Sequence, residues 1–206
     1  MDIRMTTDIS ELINVVSHER LASVEMESAY DRIISVASYF GIIQLPEDIR
    51  IHIHICDKAE FEDIRQGIGI NIIDEAVAFV SDINHIYVIK YDCIKRFLSK
   101  SSYSAIILHE CIHVFQLYYS KLPQSQYIWL YESVACYLAD QKKQYDRRSE
   151  KLWDAFVNDF YNVPDCYGLA YDFGRKLFET YYDEVLSIIK YPEKYWERLV
   201  DLFYAE

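Results

Sequence analysis

The stretch from Ser104 to Ser120, which reads SAIILHECIHVFQLYYS, places two histidines and a glutamate inside a long apolar run. Apolar side chains recur there at the three- and four-residue spacing of one helix face, at Leu108, Cys111, Ile112, Phe115 and Tyr119. The histidines form a second stripe beside this one, so the predicted helix is apolar nearly all round. Such a helix must be covered on most sides, and we expect the rest of the chain to pack around it.

The histidines of this helix have the spacing of metal ligands. His109 and His113 are four residues apart and therefore lie one turn from each other on the same face. Two imidazole nitrogens placed in this way can bind one ion, and Glu110 can reach a water at that ion. Glu132 follows His113 by 132 − 113 = 19 positions, which gives the pattern HExxH-x18-E.

Two histidines and a glutamate leave the fourth tetrahedral position of a zinc ion open, as in catalytic rather than structural sites. The pattern therefore predicts one Zn²⁺ ion per chain, held by His109, His113 and Glu132. The alternative interpretation is a buried helix that carries two core histidines with satisfied hydrogen bonds.

The two motifs together resemble those of the gluzincin zinc metallopeptidases, especially the aminopeptidase-type branch of this peptidase MA-like superfamily. Its glutamate helix has the pattern W-L-x-E-G-x-A-x-Y, which is matched here by Trp129, Leu130, Glu132, Ala135 and Tyr137. Ser133 stands where the pattern has glycine. The resemblance implies an α+β, zincin-like fold of two lobes and a hydrolase that cleaves peptide bonds.

The resemblance also implies roles for individual residues. Glu110 would accept a proton from the water that the metal activates and deliver it to the leaving amine. Gluzincins often use a downstream tyrosine or histidine as a donor to the tetrahedral intermediate, and no histidine follows His113. Tyr171, in the segment AYDFG, is the first choice and Tyr167 is the second. Ordinary packing is the alternative for either tyrosine.

The sequence departs from the family pattern in two places. Cys136 stands where thermolysin-like enzymes have the aspartate that orients the first histidine, so we expect that partner to come from elsewhere. The Gly-Ala-Met-Glu-Asn segment with which aminopeptidases hold a free amine is absent, and an endopeptidase is therefore favoured. The alternatives are a degenerate peptidase fold that acts as a binding or regulatory module, and a metal-dependent hydrolase of non-peptide amides.

Composition narrows the range of partners and compartments. The net charge of −12 disfavours nucleic acid and anionic membranes as partners, and the family resemblance implies a peptide or protein substrate. No uncharged apolar run has the length of a membrane span, and the start of the chain lacks the pattern of a signal peptide. The five cysteines show no CxxC spacing, which predicts reduced thiols in a cytoplasmic protein.

The expected organisation is one catalytic domain over 1–206, with an α/β lobe (1–121) that carries the HExxH helix and a helical lobe (122–206) that carries Glu132. A capping-box pattern at Asp8 to Glu11 predicts a first helix that runs to about Ser17. A second helix should run from about Glu19 to Phe40 and end at Gly41.

Alternating isoleucines predict a strand from Ile49 to Ile55 with one buried face. Two further strands, Ala76 to Val80 and Ile86 to Lys90, are predicted to pair as a hairpin. His52 and His54 share the polar face of the first strand, but no third ligand is evident, so a metal site there is disfavoured. His85 is interpreted as an isolated surface or loop residue, and Ser101 or Ser102 is predicted to cap the HExxH helix.

Overall fold

A computed structural model describes residues 13–16, 23–42, 51–68, 76–81, 84–120, 122, 124–143 and 152–205. These residues form a mixed α+β structure that is mostly helical and contains one small sheet, as the sequence predicts. The chain divides into two compact units, Met1–Phe115 and Gln116–Glu206. The division falls inside one continuous helix, Lys100–Ser120, which therefore contributes residues to both units. The predicted capping box at Asp8 to Glu11 lies outside the described residues.

The sheet lies in the first unit, and its strands are β1 (Ile13–Val16), β2 (Ile51–Cys56), β3 (Ala78–Val80) and β4 (His85–Ile89). The helices that begin in this unit are α1 (Ser23–Tyr39), α2 (Lys58–Ile68), α3 (Tyr91–Ile94) and α4 (Lys100–Ser120). The second unit contains α5 (Ile128–Leu138), α6 (Trp153–Asn158), α7 (Cys166–Tyr181), α8 (Val185–Lys190) and α9 (Trp196–Tyr204). Among the helices described, none combines the length and the apolar character needed to cross a membrane.

The described sheet has the strand order β1-β2-β4-β3. Strands β1, β2 and β4 run parallel, and β3 pairs with β4 in the antiparallel direction, which confirms the predicted hairpin. The predicted alternation along β2 is also confirmed, because Ile51, Ile53 and Ile55 are buried while His52 and His54 are half-buried. One face of β2 therefore belongs to the core of the first unit.

The predicted helix that runs to Ser17 is wrong in the part that the structure describes. Ile13–Val16 is strand β1, and it pairs with β2 in the register Ile13 to Ile51 and Val16 to His54. The segment reads Ile-Asn-Val-Val, and β-branched residues pack well in strands. Pairing with a strand that lies far along the chain therefore outweighs the helix signal of the preceding residues.

Helix α1 ends where the sequence predicts. Gly41 has a φ of +68°, a conformation that glycine adopts without steric cost. The backbone nitrogen of Ile42 donates to the carbonyl oxygen of Ala37 at 2.9 Å, which satisfies a terminal carbonyl of the helix. The buried Phe40 then packs on Phe115 of α4, with ring centroids 6.1 Å apart.

Helix α4 begins one turn earlier than its predicted caps. Ser99, and not Ser101 or Ser102, provides the cap, because its Oγ accepts a hydrogen bond from the backbone nitrogen of Ser102 at 3.1 Å. From Tyr103 to Phe115, the last residue of the first unit, most residues of the helix are buried. The apolar pattern of this segment is therefore matched by its environment.

In the second unit α5 packs closely on α7. A Cβ atom at Gly174 would lie 2.1 Å from the backbone oxygen of Ser133, so only glycine permits this approach of the two helices. Tyr137 of α5 stacks on Phe178 of α7 at a centroid distance of 4.7 Å. Trp129, at the start of α5, is fully buried and packs edge-on against Trp153. These contacts fix the helix that carries Glu132.

Candidate metal centre

The candidate site is built on one face of α4. His109, His113, Gln116 and Ser120 follow the spacing i, i+4, i+7 and i+11, so they form one stripe along the helix. Within the second unit the last two members of this stripe contact α5. Gln116 Nε2 donates to the backbone oxygen of Tyr131 at 3.0 Å, and the hydroxyls of Ser120 and Tyr131 are 2.5 Å apart. Gln116 and Ser120, which continue the spacing of the two histidines along the helix, therefore face α5.

The two imidazoles of α4 are close together and tilted. Their Nε2 atoms are 2.9 Å apart, while the ring centroids are 4.6 Å apart and the ring planes are nearly perpendicular, at 84°. The centroids are closer than they would be if the two nitrogens faced each other along a straight line. This tilt is compatible with two histidines that share one ion.

Glu132 completes the group. One ligand atom from each of His109, His113 and Glu132 lies within 4.8 Å of the other two, and all three side chains are buried. Two nitrogens bound to one zinc ion at about 2.0–2.1 Å with tetrahedral angles are about 3.3 Å apart, close to the spacing of the imidazoles. Among the residues that the structure describes, this is the group of three potential ligands that has the spacing of a metal site.

Because these side chains are buried, the negative charge of the Glu132 carboxylate is energetically unfavourable unless a cation lies nearby. Glu132 is 4% exposed, His109 6% and His113 3%. A carboxylate at this depth is retained when it is hydrogen-bonded, paired with a cation or coordinated to a metal. Two imidazoles and one carboxylate are also the donor set of many catalytic zinc sites. The residues present therefore fit a zinc ion.

Glu110 lies next to the stripe and has a different exposure. It is half-buried, whereas both histidines are buried, so its carboxylate retains access to solvent. Burial and the charge of Glu110 raise the pKa of the neighbouring Cys111 thiol. Cys111 therefore remains protonated, in agreement with the packing role that its place in the apolar stripe predicts.

Tyrosines from the second unit surround the Glu132 carboxylate. The hydroxyl of Tyr161, in the short 3-10 helix Phe160–Asn162, donates a long hydrogen bond of 3.5 Å to Glu132 Oε1. Tyr167, in the first turn of α7, has a raised pKa because of its burial and then because of the negative charge of Glu132. Burial also raises the pKa of the Cys166 thiol; a backbone hydrogen bond at Tyr167 opposes this shift, and the charge of Glu132 adds a smaller increase. The segment from Phe160 to Tyr167 therefore lies against the carboxylate.

Tyr171 has different neighbours. Its ring lies 6.1 Å from that of Tyr137, and its pKa is raised first by burial, with Lys142 and Asp140 as the main charged neighbours. Glu132 is not among the groups that shift it. Of the two tyrosines predicted as donors, Tyr167 is the one whose electrostatic environment includes Glu132. Tyr161 was not predicted, because no motif in this tyrosine-rich chain distinguishes it.

Ser133 and Cys136, the two residues of α5 that differ from the family's glutamate helix and from its histidine-orienting aspartate, are both buried. Ser133 is fully buried, and its hydroxyl donates to the backbone oxygen of Trp129 at 2.6 Å, so it needs no further partner. Cys136 is 1% exposed. A thiol is a much weaker hydrogen-bond partner than the aspartate of the family pattern.

The histidines of the sheet form a second close pair. Because β2 and β4 pair with His52 opposite His85, His54 lies beside His85 on the same face. Nε2 of His54 and Nδ1 of His85 are 2.8 Å apart, with ring centroids 5.1 Å apart and planes only 14° from parallel. The rings are thus nearly coplanar and their nitrogens face each other, which is the geometry of a hydrogen bond. The interpretation of His85 as an isolated residue is wrong.

Comparison of the chain with protein-family models, with curated proteins and with solved structures finds no match. The description of the site therefore depends on the sequence motif and on the geometry of these residues.

Proposed function

We propose that this chain is a zinc-dependent metallopeptidase with a gluzincin-like, zincin-type catalytic domain. The observation that carries the proposal is the buried group of His109, His113 and Glu132, whose ligand atoms lie within 4.8 Å of one another. The adjacent Glu110 supports a catalytic rather than a structural metal, because a site that only holds an ion has no need of a carboxylate at this position.

Each residue of the proposed site has its own role in hydrolysis. His109, His113 and Glu132 hold the zinc ion, which supplies a Lewis acid for the scissile carbonyl and lowers the pKa of a water towards neutrality. Glu110 accepts the proton of the attacking water and then delivers it to the leaving amine. A tyrosine hydroxyl near Glu132 donates to the oxygen that gains negative charge. Tyr167 has the environment for this role, and Tyr171 is the alternative from the sequence.

The edge of the sheet supports a peptide as substrate. β3 is the edge strand next to β4 in the described sheet. An extended peptide can add to such an edge through main-chain hydrogen bonds, which are independent of its sequence. Hydrolysis within a chain, rather than at a free amino end, is the favoured mode.

The cysteines support a reducing compartment such as the cytoplasm. All five, at positions 56, 93, 111, 136 and 166, are free thiols, and only Cys93 is exposed. Disulfides persist in oxidising compartments and are rare in the cytosol.

The test combines the metal content with peptide cleavage. Protein purified without added metal should contain about one zinc per chain, and it should cleave members of a random peptide library detected by mass spectrometry. The matched variant Glu110→Gln should keep the zinc and lose the cleavage. A protein that folds but binds no zinc would overturn the proposal, and so would zinc-loaded protein whose cleavage survives Glu110→Gln.

A further inference from the structure

We infer that Tyr161 is a positioning residue that holds the Glu132 carboxylate in its metal-binding orientation. This inference rests on the proposed zinc site and adds a residue that the sequence motif does not contain. The direct observation is the hydrogen bond from the Tyr161 hydroxyl to Glu132 Oε1, with the two oxygens 3.5 Å apart.

The carboxylate needs such a partner because of where it lies. Glu132 is buried on α5, and the side chain has rotatable bonds that let its carboxylate turn. A hydrogen bond to Oε1 restricts that rotation. It leaves Oε2 as the single oxygen that binds the metal. Ligating carboxylates are generally hydrogen-bonded in this way, and loss of such partners weakens metal binding.

The segment from Phe160 to Tyr167 is suited to supply this partner. Tyr161 packs edge-on against Phe160 at a centroid distance of 5.2 Å, and Phe160 packs edge-on against Tyr167 at 5.9 Å. Phe160 is buried, so the ring that supports the Tyr161 hydroxyl is itself held in the core of the second unit.

The test measures zinc affinity by competition with a chelator, using apo-protein reloaded with zinc. Tyr161→Phe removes only the hydroxyl and keeps the ring packing on Phe160. We expect the affinity of this variant to fall about 10-fold, at the lower end of the roughly 10–100-fold range for such partners, because the hydrogen bond is long. The absorption spectrum of Co²⁺ in the site should also change, since the geometry of one ligand changes.

The matched control is Tyr182→Phe, which removes the same hydroxyl from a side chain that is 60% exposed in the same unit. Its zinc affinity and Co²⁺ spectrum should equal those of the wild type. Equal zinc affinity of Tyr161→Phe and wild type would overturn the inference, as would an equal loss in both variants. Wild-type protein that binds no zinc would instead overturn the proposed function, so the two failures are distinguishable.

Discussion

Two histidine pairs in this chain have nearly the same distance between their ring nitrogens and yet differ in what they can do. On α4 the nitrogens of His109 and His113 are 2.9 Å apart with perpendicular rings, and on the sheet those of His54 and His85 are 2.8 Å apart with coplanar rings. In the sheet pair the nitrogens face each other along a straight line, which is the geometry of a hydrogen bond. In the helix pair they are tilted away from such a line, and this tilt is compatible with two imidazoles that bind one ion.

The surroundings of the two pairs differ as much as their geometry. The helix pair is buried and has Glu132 within reach as a third ligand, whereas the histidines of the sheet are half-buried. The distance between two imidazoles is therefore a poor indicator of a metal site. Ring orientation and a third donor from a separate helix are what distinguish the two pairs.

The largest expected effect concerns the carboxylate next to the helix pair. Glu110→Gln should lower peptide hydrolysis by about 10²–10⁴-fold, because a positioned general base contributes this much to the rate. The zinc content should not change, since Glu110 is not one of the proposed ligands. Initial rates on a cleaved library peptide and metal analysis of the same sample measure both. Glu197→Gln, an exposed change of the same chemistry, should leave the rate unaltered.

The second largest effect is on zinc affinity, and it compares the helix pair of histidines with the sheet pair. Glu132→Ala should weaken zinc binding more than the roughly 10–100-fold that loss of a hydrogen-bonding partner of a ligand costs, because a ligand itself is lost. His54→Ala removes one imidazole from the sheet pair and should leave zinc affinity and stoichiometry unchanged. Chelator competition on both variants makes the comparison. A loss of zinc in His54→Ala that matches that in Glu132→Ala would show that the comparison is wrong.

The candidate ligand set could be proposed from the sequence because its two motifs are each local. The spacing of His109 and His113 fixes their common face once the segment is helical, and Glu132 lies in a motif that is itself helical. Tyr161 could not be predicted in this way. It reaches Glu132 from a separate 3-10 turn, 29 positions along the chain, and only the packing of the second unit brings them together.

The same distinction between local and long-range features applies to the fold. The end of α1 at Gly41 and the alternation of β2 follow from local rules and were predicted correctly. Strand β1 and the role of His85 depend on the register in which distant strands pair, so local patterns were misleading there. The cap of α4 was missed by a few positions because Ser99, Ser101 and Ser102 are equally suitable as residue types.

A smaller effect concerns the packing that holds α5 in place. Gly174→Ala should destabilise the protein by about 1–3 kcal/mol, because the new Cβ would meet backbone at Ser133 and the two helices would have to separate. Zinc affinity should fall with it, since Glu132 is the neighbour of Ser133. Urea denaturation measures the free energy of unfolding. In Gly67→Ala the new Cβ meets nothing within 4 Å, so stability should be unchanged or rise by up to about 1 kcal/mol.

The smallest effect concerns the hydrogen bond at the start of α5, where the Tyr127 hydroxyl donates to the Glu193 carboxylate. Burial and this bond raise the pKa of Tyr127 from its ordinary 10.0 to about 12. A group whose pKa is raised by folding contributes stability that is complete below its unfolded pKa and is lost as the pH rises through the folded value. The contribution of Tyr127 should therefore be constant up to about pH 10 and decline between about 10 and 12.

The pKa of Glu193 determines the low-pH range in which the same hydrogen bond stops contributing to stability. The hydrogen bond from Tyr127 lowers the pKa of Glu193 below its ordinary 4.5, so this stability is present above that value and is lost as the pH falls through the folded pKa. Tyr127→Phe should thus cost less than about 1 kcal/mol near pH 7, because Glu193 is exposed to solvent. The difference from wild type in urea denaturation should decline as the pH rises from about 10 through 12. Equal stability of the two proteins near pH 7 would mean that Tyr127 holds α5 by ring packing, which phenylalanine keeps, and the position of Glu132 would then be independent of this hydrogen bond.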